Sequence, residues 1–274
     1  MFDGLIGCVA TVKTSALLKA VLFLSLSAVG IVLYLFLLSV FRGKLGAFSG
    51  AVPAMLLALF ALILNWRFLR FDEQSLAAIG INAPWLRLWQ AAIGFVAGCA
   101  IVAVWALVLR AATPVSWHPV PSLDLTAAAG VVTFAIFNNA GEELVYRGYL
   151  FLLLSRSHGR AVAVVSTCCL FTLLHIQGGV PWQNAVAGVF TSALVFAALF
   201  LRWRSLPLVL AFHVGTNFMQ ELIGLRISGL TLFLPTYGEK IGKSQGYRVL
   251  VVTGLINLTL AFVILSSARR HKPI

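Results

Sequence analysis

Eight apolar stretches, parted by short connections that hold most of the charge, leave this chain few folds to choose from. They run about Ala16–Phe41, Ala47–Trp66, Trp89–Leu109, Ala127–Leu154, Ala161–Ile176, Ala185–Leu201, Leu206–Ile223 and Val249–Ser266. A helix needs about 20 mostly apolar residues to cross a bilayer. In hydrocarbon only helices and closed barrels satisfy every backbone N–H and C=O, and these stretches lack the alternation of a barrel strand. The expected fold class is therefore all-α: a polytopic transmembrane helical bundle of about eight helices, one domain over 1–274, without internal repeats. Composition agrees, because hydrophobic residues make up 61% of the chain and charged residues only 10%, against about 25% charged in a soluble domain. The fifth stretch is short. It either extends through its loop or is a buried helix that never meets lipid.

The net charge of +12 would suggest nucleic acid in a soluble protein. Here Lys and Arg sit between apolar segments, where they anchor helix ends and meet anionic headgroups, so the expected partner is the lipid bilayer and not nucleic acid. The N-terminal, second, fourth and sixth connections and the C-terminus hold twelve cations, including Arg67, Arg70, Arg156, Arg160, Arg202 and Arg204, against seven on the opposite side. The positive-inside rule then places both termini in the cytoplasm of a multi-pass protein of the cell (inner) membrane. The N-terminus lacks the pattern of a cleaved signal, which leaves targeting to the first spanning helix. Cys8, Cys99, Cys168 and Cys169 have no ligand-like spacing and read as small packing residues. Two connections are more than turns. Arg67–Leu88 has the mixed character of an interfacial amphipathic segment, and the Gly-rich Arg226–Arg248, with Glu239, Lys240 and Lys243, could form a flexible flap.

Ionisable groups inside a spanning segment cost about 2.5–3.5 kcal/mol each on insertion scales and are usually paired or functional. Glu142 and Glu143 are adjacent inside the fourth stretch, and Arg147 follows one helical turn after Glu143. Glu143 and Arg147 share a face in the favourable acid-before-base order and read as a buried ion pair. Glu142 points about 100° away and has no local cation. It should be either protonated or held by partners from other helices, and both suit a general base. His175 ends the fifth stretch, and His213 lies in the seventh with Asn217 one turn on. Counted from the Ser155 and Ser205 ends at 1.5 Å per residue, Glu142, His175 and Asn217 come near one level and His213 falls a turn away.

A carboxylate and an imidazole can activate a shared water, while a second imidazole and an amide donate to the oxyanion that forms. The set Glu142, His175, His213 and Asn217 thus supports peptide hydrolysis without a covalent intermediate. The same Glu142, His175 and His213 could alternatively hold a catalytic zinc, although HExxH is absent. Two non-enzymatic readings also stand: an immunity or scaffold protein that keeps the motifs, and a proton-coupled transporter. The transporter reading lacks the repeats and broken helix pairs such folds show.

The segments EELVYR (Glu142–Arg147), FTLLH (Phe171–His175) and HVGTN (His213–Asn217) resemble the EExxxR, FxxxH and HxxxN motifs of the CPBP family of glutamic intramembrane proteases, also called the Abi family, which includes the CAAX prenyl endopeptidases. The likeness covers about 124–223, the expected motif-bearing core, and SLAAIGI (Ser75–Ile81) is family-like as well. It implies an eight-helix bundle and a protease with no metal or other cofactor. Glu142 and His175 would activate water, His213 and Asn217 would form the oxyanion hole, and Glu143, Arg147 and Phe171 would support them. The substrate would be a membrane-anchored or lipidated protein, cut near its C-terminal part. By depth, the site lies toward the Gln177–Gln183 loop, which the charge count puts outside the cytoplasm. Either that bias misleads and the substrate is a prenylated CAAX tail, or the substrate is an exported protein with a C-terminal sorting signal.

Overall fold

A computed structural model of the chain describes residues 2–82, 84–237 and 243–268. Its helices are α1 (Phe2–Phe41), α2 (Ala51–Phe71), α3 (Pro84–Ala112), α4 (Leu125–Arg147) with a continuation at Tyr149–Ser157, α5 (Arg160–Gln177), α6 (Trp182–Trp203), α7 (Leu206–Leu222) and α8 (Lys243–Ala268). Among the described residues, six segments are long and apolar enough to cross a membrane: Ser15–Phe41, Gly46–Phe71, Trp85–Ala112, Arg160–Gln177, Trp182–Trp203 and Arg248–Ser267. The chain is a multi-pass all-α membrane protein. α4 and α7, which carry Glu142, Glu143, Arg147, His213 and Asn217, are not among the six. Apolar helices enclose them: α4 packs on α2 and α7, and α7 packs along α3. The lipid-facing surface comes instead from side chains such as Leu18 and Val29 on α1 and Val96 and Leu107 on α3.

Local chemistry sets the ends of the two polar helices. Asp124 caps α4 by accepting from the Thr126 and Ala127 amides at 2.9 and 3.1 Å, and the Ser205 hydroxyl oxygen caps α7 by accepting from the Leu208 amide. Such caps satisfy backbone donors that the first helical turn leaves free. The expected single fourth helix is broken at Gly148, whose ψ of −132° is not helical. The fully buried Asn65 of α2 fits into the break. Its amide donates to Ala61 O and Leu144 O, and its oxygen accepts from Tyr149 N at 2.6 Å. One side chain thus answers groups that the break would leave unpaired in a site without water. A Cβ at Gly148 would collide with that same amide.

Close packing of α3 on α7 follows from Gly94 and Gly98, spaced one turn apart, and from Gly215 on the facing helix. A Cβ at Gly94 would strike Leu208 O, one at Gly98 would strike Phe212 O, and one at Gly215 would strike Phe95 O. Membrane helices approach this closely where small residues line the contact.

Several expectations change. The fifth stretch is a full 18-residue helix of spanning character, with Val165 and Leu173 exposed. The interfacial segment expected over Arg67–Leu88 is shorter, because α2 runs on to Phe71 and α3 already begins at Pro84. Between them lies a short 3-10 turn, Leu76–Ile79. The flap expected at Arg226–Arg248 is partly strand: Phe233–Tyr237 pairs antiparallel with Val115–Pro119, from Val115↔Tyr237 to Pro119↔Phe233. No strand was legible there, since these short segments sit at the ends of apolar helices and stabilise each other only across the fold. Glu239 and Lys240 of that flap lie outside the described residues. Cys168 is buried as a packing residue, but its neighbour Cys169 is exposed, because successive helical positions point about 100° apart.

Gly98→Val should lower the thermal unfolding midpoint of the detergent-solubilised protein by several degrees, since backbone of α7 stands where the new side chain must go. Gly246→Ala on α8, where a Cβ meets nothing within 4 Å, should cause no loss.

Candidate active site

α4 and α7 run antiparallel, and their pairing assembles the polar cluster two residues at a time. The Glu143 carboxylate Oε1 accepts from Arg147 Nη1 at 3.2 Å and lies 2.9 Å from His213 Nδ1. One turn earlier on α4 and one turn later on α7, Asn217 Nδ2 donates to Asn139 Oδ1 at 3.0 Å. The depth count set Asn217 level with Glu142 and put His213 a turn away. The structure reverses this, placing His213 Nε2 3.8 Å from Glu142 Oε2. The count ran from Ser155 through the non-helical Gly148, where the rise per residue of a regular helix does not hold.

Glu143 and Arg147 are both fully buried. Arg147 Nη2 also donates to Ala193 O at 3.2 Å, and the guanidinium lies over the rings of Phe171 and Phe196, 4.9 and 5.3 Å from their centroids. The expected ion pair is therefore present. What sequence reasoning missed is its third member: Glu143 also holds an imidazole from α7. Phe171 packs on Tyr146, His175 and His213, which explains an aromatic at that position.

Glu142 is different. Its side chain is 24% exposed and lines a cavity of about 700 Å³ between α1, α2, α4 and α5. Asn138 donates to its Oε1 at 2.9 Å. His175 lines the same cavity, with its Nδ1 2.8 Å from Phe171 O. A carbonyl can only accept, so this contact puts the proton on Nδ1 and leaves Nε2 a free acceptor. Glu142 and His175 thus share one space without touching. His213 and Asn217 are not part of the cavity wall; His213 approaches it through Glu142, and Asn217 is held behind it by the buried Asn139.

Asn217 is held at both ends, since Arg226 Nη1 donates to its Oδ1 at 3.3 Å. This fixes which end of the amide faces Asn139 and leaves one Asn217 N–H uncommitted. Asn138 and Asn139 were also missed, though the signal was there. Two asparagines one turn before two glutamates, inside an apolar stretch, put Asn138 on the Glu142 face and Asn139 on the Glu143 face. Among the described residues, no group of three or more His, Cys, Asp or Glu side chains is placed to hold a metal ion, and Glu142, His175 and His213 do not converge as a zinc set would.

Removing one member of a buried ion pair strands its partner's charge, at about 3–5 kcal/mol. Arg147→Met should therefore sharply reduce the folded protein recovered from membranes. Glu143→Gln strands the Arg147 cation, but it keeps an amide oxygen to accept from it and leaves its contacts over Phe171 and Phe196, so it should be lowered less, and the thermal midpoints of the two variants should rank the same way.

No curated protein and no solved structure matches the chain. Residues 124–219, which contain all three motifs, match the family described as type II CAAX prenyl endopeptidase Rce1-like. That match covers about a third of the chain and likens this segment to a CAAX-type protease family.

Proposed function

We propose that the protein is a glutamic-type intramembrane endopeptidase, with Glu142 as general base, His175 as its partner on the attacking water, and His213 and Asn217 as oxyanion donors. The observation that carries this reading is the contrast between the adjacent glutamates. Glu143 is consumed by Arg147 and His213. Glu142 has no Lys or Arg partner among the described residues and faces a roomy cavity beside a histidine with a free ring nitrogen.

In this reading a water between Glu142 and His175 gives up a proton as it attacks the scissile carbonyl. The carbonyl oxygen gains negative charge, and donors fixed in advance stabilise it most. Asn217 offers its uncommitted N–H. To donate from Nε2 while Nδ1–H is given to Glu143, His213 acts as the imidazolium. The carboxylic acid formed at Glu142 then returns its proton to the leaving amine. The transmembrane unit acts as one domain, with its catalytic core over about 124–223.

The substrate in this proposal is a membrane-anchored or lipidated protein cut near its C-terminal part. The cavity is walled by apolar groups such as Ile31, Val32, Leu35 and Leu57 and reaches Gln177, Gly178 and Val180 at the end of α5. With both termini in the cytoplasm, as charge favours, that end lies on the far face of the cell membrane and suits an exported substrate. With the opposite orientation it suits a prenylated CAAX tail. A single cysteine introduced at Gly178, labelled in intact cells by a membrane-impermeant maleimide, decides between them.

The central test uses the full-length protein in detergent with a farnesylated peptide ending in a CAAX sequence, its unprenylated counterpart, and a peptide carrying an apolar C-terminal sorting signal. Glu142→Gln should lower cleavage of the accepted peptide by at least about 1,000-fold with the protein still folded, as loss of a general base plus the charge it carries requires. Wild-type cleavage by Glu142→Gln would sink the mechanism.

A further inference from the structure

Asn138 lies one turn before Glu142 on α4 and points at the same cavity. We infer that Asn138 is a positioning residue that sets the orientation of the Glu142 carboxylate, and that Tyr34, from α1, holds Asn138 in place. This rests on the reading of Glu142 as the base. Asn138 Nδ2 donates to Glu142 Oε1 at 2.9 Å, while the other carboxylate oxygen, Oε2, faces His213 Nε2 at 3.8 Å. The Asn138 bond thus ties down one oxygen and sets rotation about the last side-chain bond, while Oε2, with only a longer contact to His213, keeps a lone pair for water. A general base must present a lone pair within hydrogen-bond reach of the water it deprotonates, and a loose carboxylate loses rate through misplacement.

An asparagine can serve this purpose only if its amide is held one way round. Turned over, Asn138 would put a carbonyl oxygen against a carboxylate oxygen, which repels. The Tyr34 hydroxyl, 3.5 Å from Asn138 Oδ1, opposes that flip by offering a donor to the oxygen. The separation is long for a hydroxyl donor, so the Tyr34 contribution is the smaller of the two. Other charged and titratable groups around Glu142 leave this task open. Glu143 and Arg147 are tied to each other, His213 is bound to Glu143, His175 is turned to a backbone carbonyl, and the Tyr146 ring packs on Phe171. Tyr34 also brings α1, which lies outside the family match over 124–219, into the site.

A half-buried helical asparagine can be merely structural, so the test needs readouts that a structural role does not move. With the peptide accepted in the cleavage assay, Asn138→Ala should lower kcat about 10-fold with KM nearly unchanged, and Tyr34→Phe should lower kcat less, about 3-fold. If Tyr34 acts through Asn138, the double variant should be no slower than Asn138→Ala alone. The infrared difference between each protein and the same protein carrying Glu142→Gln isolates the Glu142 carboxylate band. That band should shift in Asn138→Ala and shift less in Tyr34→Phe.

An unmoved carboxylate band in a folded Asn138→Ala protein overturns the inference, and so does full additivity in the double variant. Should Asn138→Ala fail to fold, Tyr34→Phe removes only one oxygen and decides the matter through the same band and the same kcat. The spectroscopic arm needs no turnover. It therefore separates failure of this inference from failure of the peptidase reading, which would show instead as undiminished cleavage by Glu142→Gln.

Discussion

The Glu143 carboxylate is the fixed point of this molecule. It is fully buried, pairs with Arg147 on its own helix, and meets His213 on the helix opposite. A charge in that position is tolerable only if its neutralising partners are exact in place, since desolvation of each ion costs several kcal/mol. Arg147 cannot move far, because the Ala193 carbonyl and two aromatic rings define its position. His213 is held in turn, with the Phe196 ring 4.5 Å away. The pair therefore does more than stabilise: it sets the register of α4 against α7, and that register carries Asn139 to Asn217 one turn away.

Registration of two helices also requires that they be pressed together. The glycines at 94, 98 and 215 let α3 lie directly on the α7 backbone, and α2 closes the other side of α4, where Asn65 fills the break at Gly148. Apolar packing alone discriminates poorly between registers in a membrane, because lipid tails are as apolar as leucine. Polar contacts with a single solution, such as Asn65 in the break or Glu143 between Arg147 and His213, supply the missing specificity.

Much of this was legible in the sequence, for physical reasons. Apolar length gave the bundle, because a bilayer imposes a length on every crossing. One-turn spacing gave the Glu143–Arg147 pair, because helical geometry is local. What stayed hidden was whatever depends on where two distant segments meet. The His213 contact to Glu143 is one case, the pairing of strand 115–119 with strand 233–237 another, and the arrival of Tyr34 from α1 a third. The error in depth had a single origin. Helical rise was counted through Gly148, where a glycine in an apolar stretch concealed a break that only Asn65, far away in sequence, makes affordable.

The two helices richest in polar groups are also the two that fail, by length or composition, as independent membrane spans. That coincidence has a cause. A hydrolytic site inside a membrane must keep ionisable side chains and admit water, and lipid tolerates neither well. A helix that meets lipid on one side must stay apolar there, which limits how many polar positions it can hold. Packing α4 against α2, α5 and α7, and α7 against α3 and α6, relaxes that limit, so one short stretch can carry Asn138, Asn139, Glu142, Glu143 and Arg147 together. Of the four residues in the proposed reaction, only His175 sits on a helix of spanning character, at the last turn of α5, beside the loop at the mouth of the cavity. A half-exposed imidazole costs little at that depth. His175 is thus carried by the least apolar of the six spans, while the network deeper in the bundle still leaves Asn139 Nδ2, Glu143 Oε2 and Arg147 Nε without a hydrogen-bond partner.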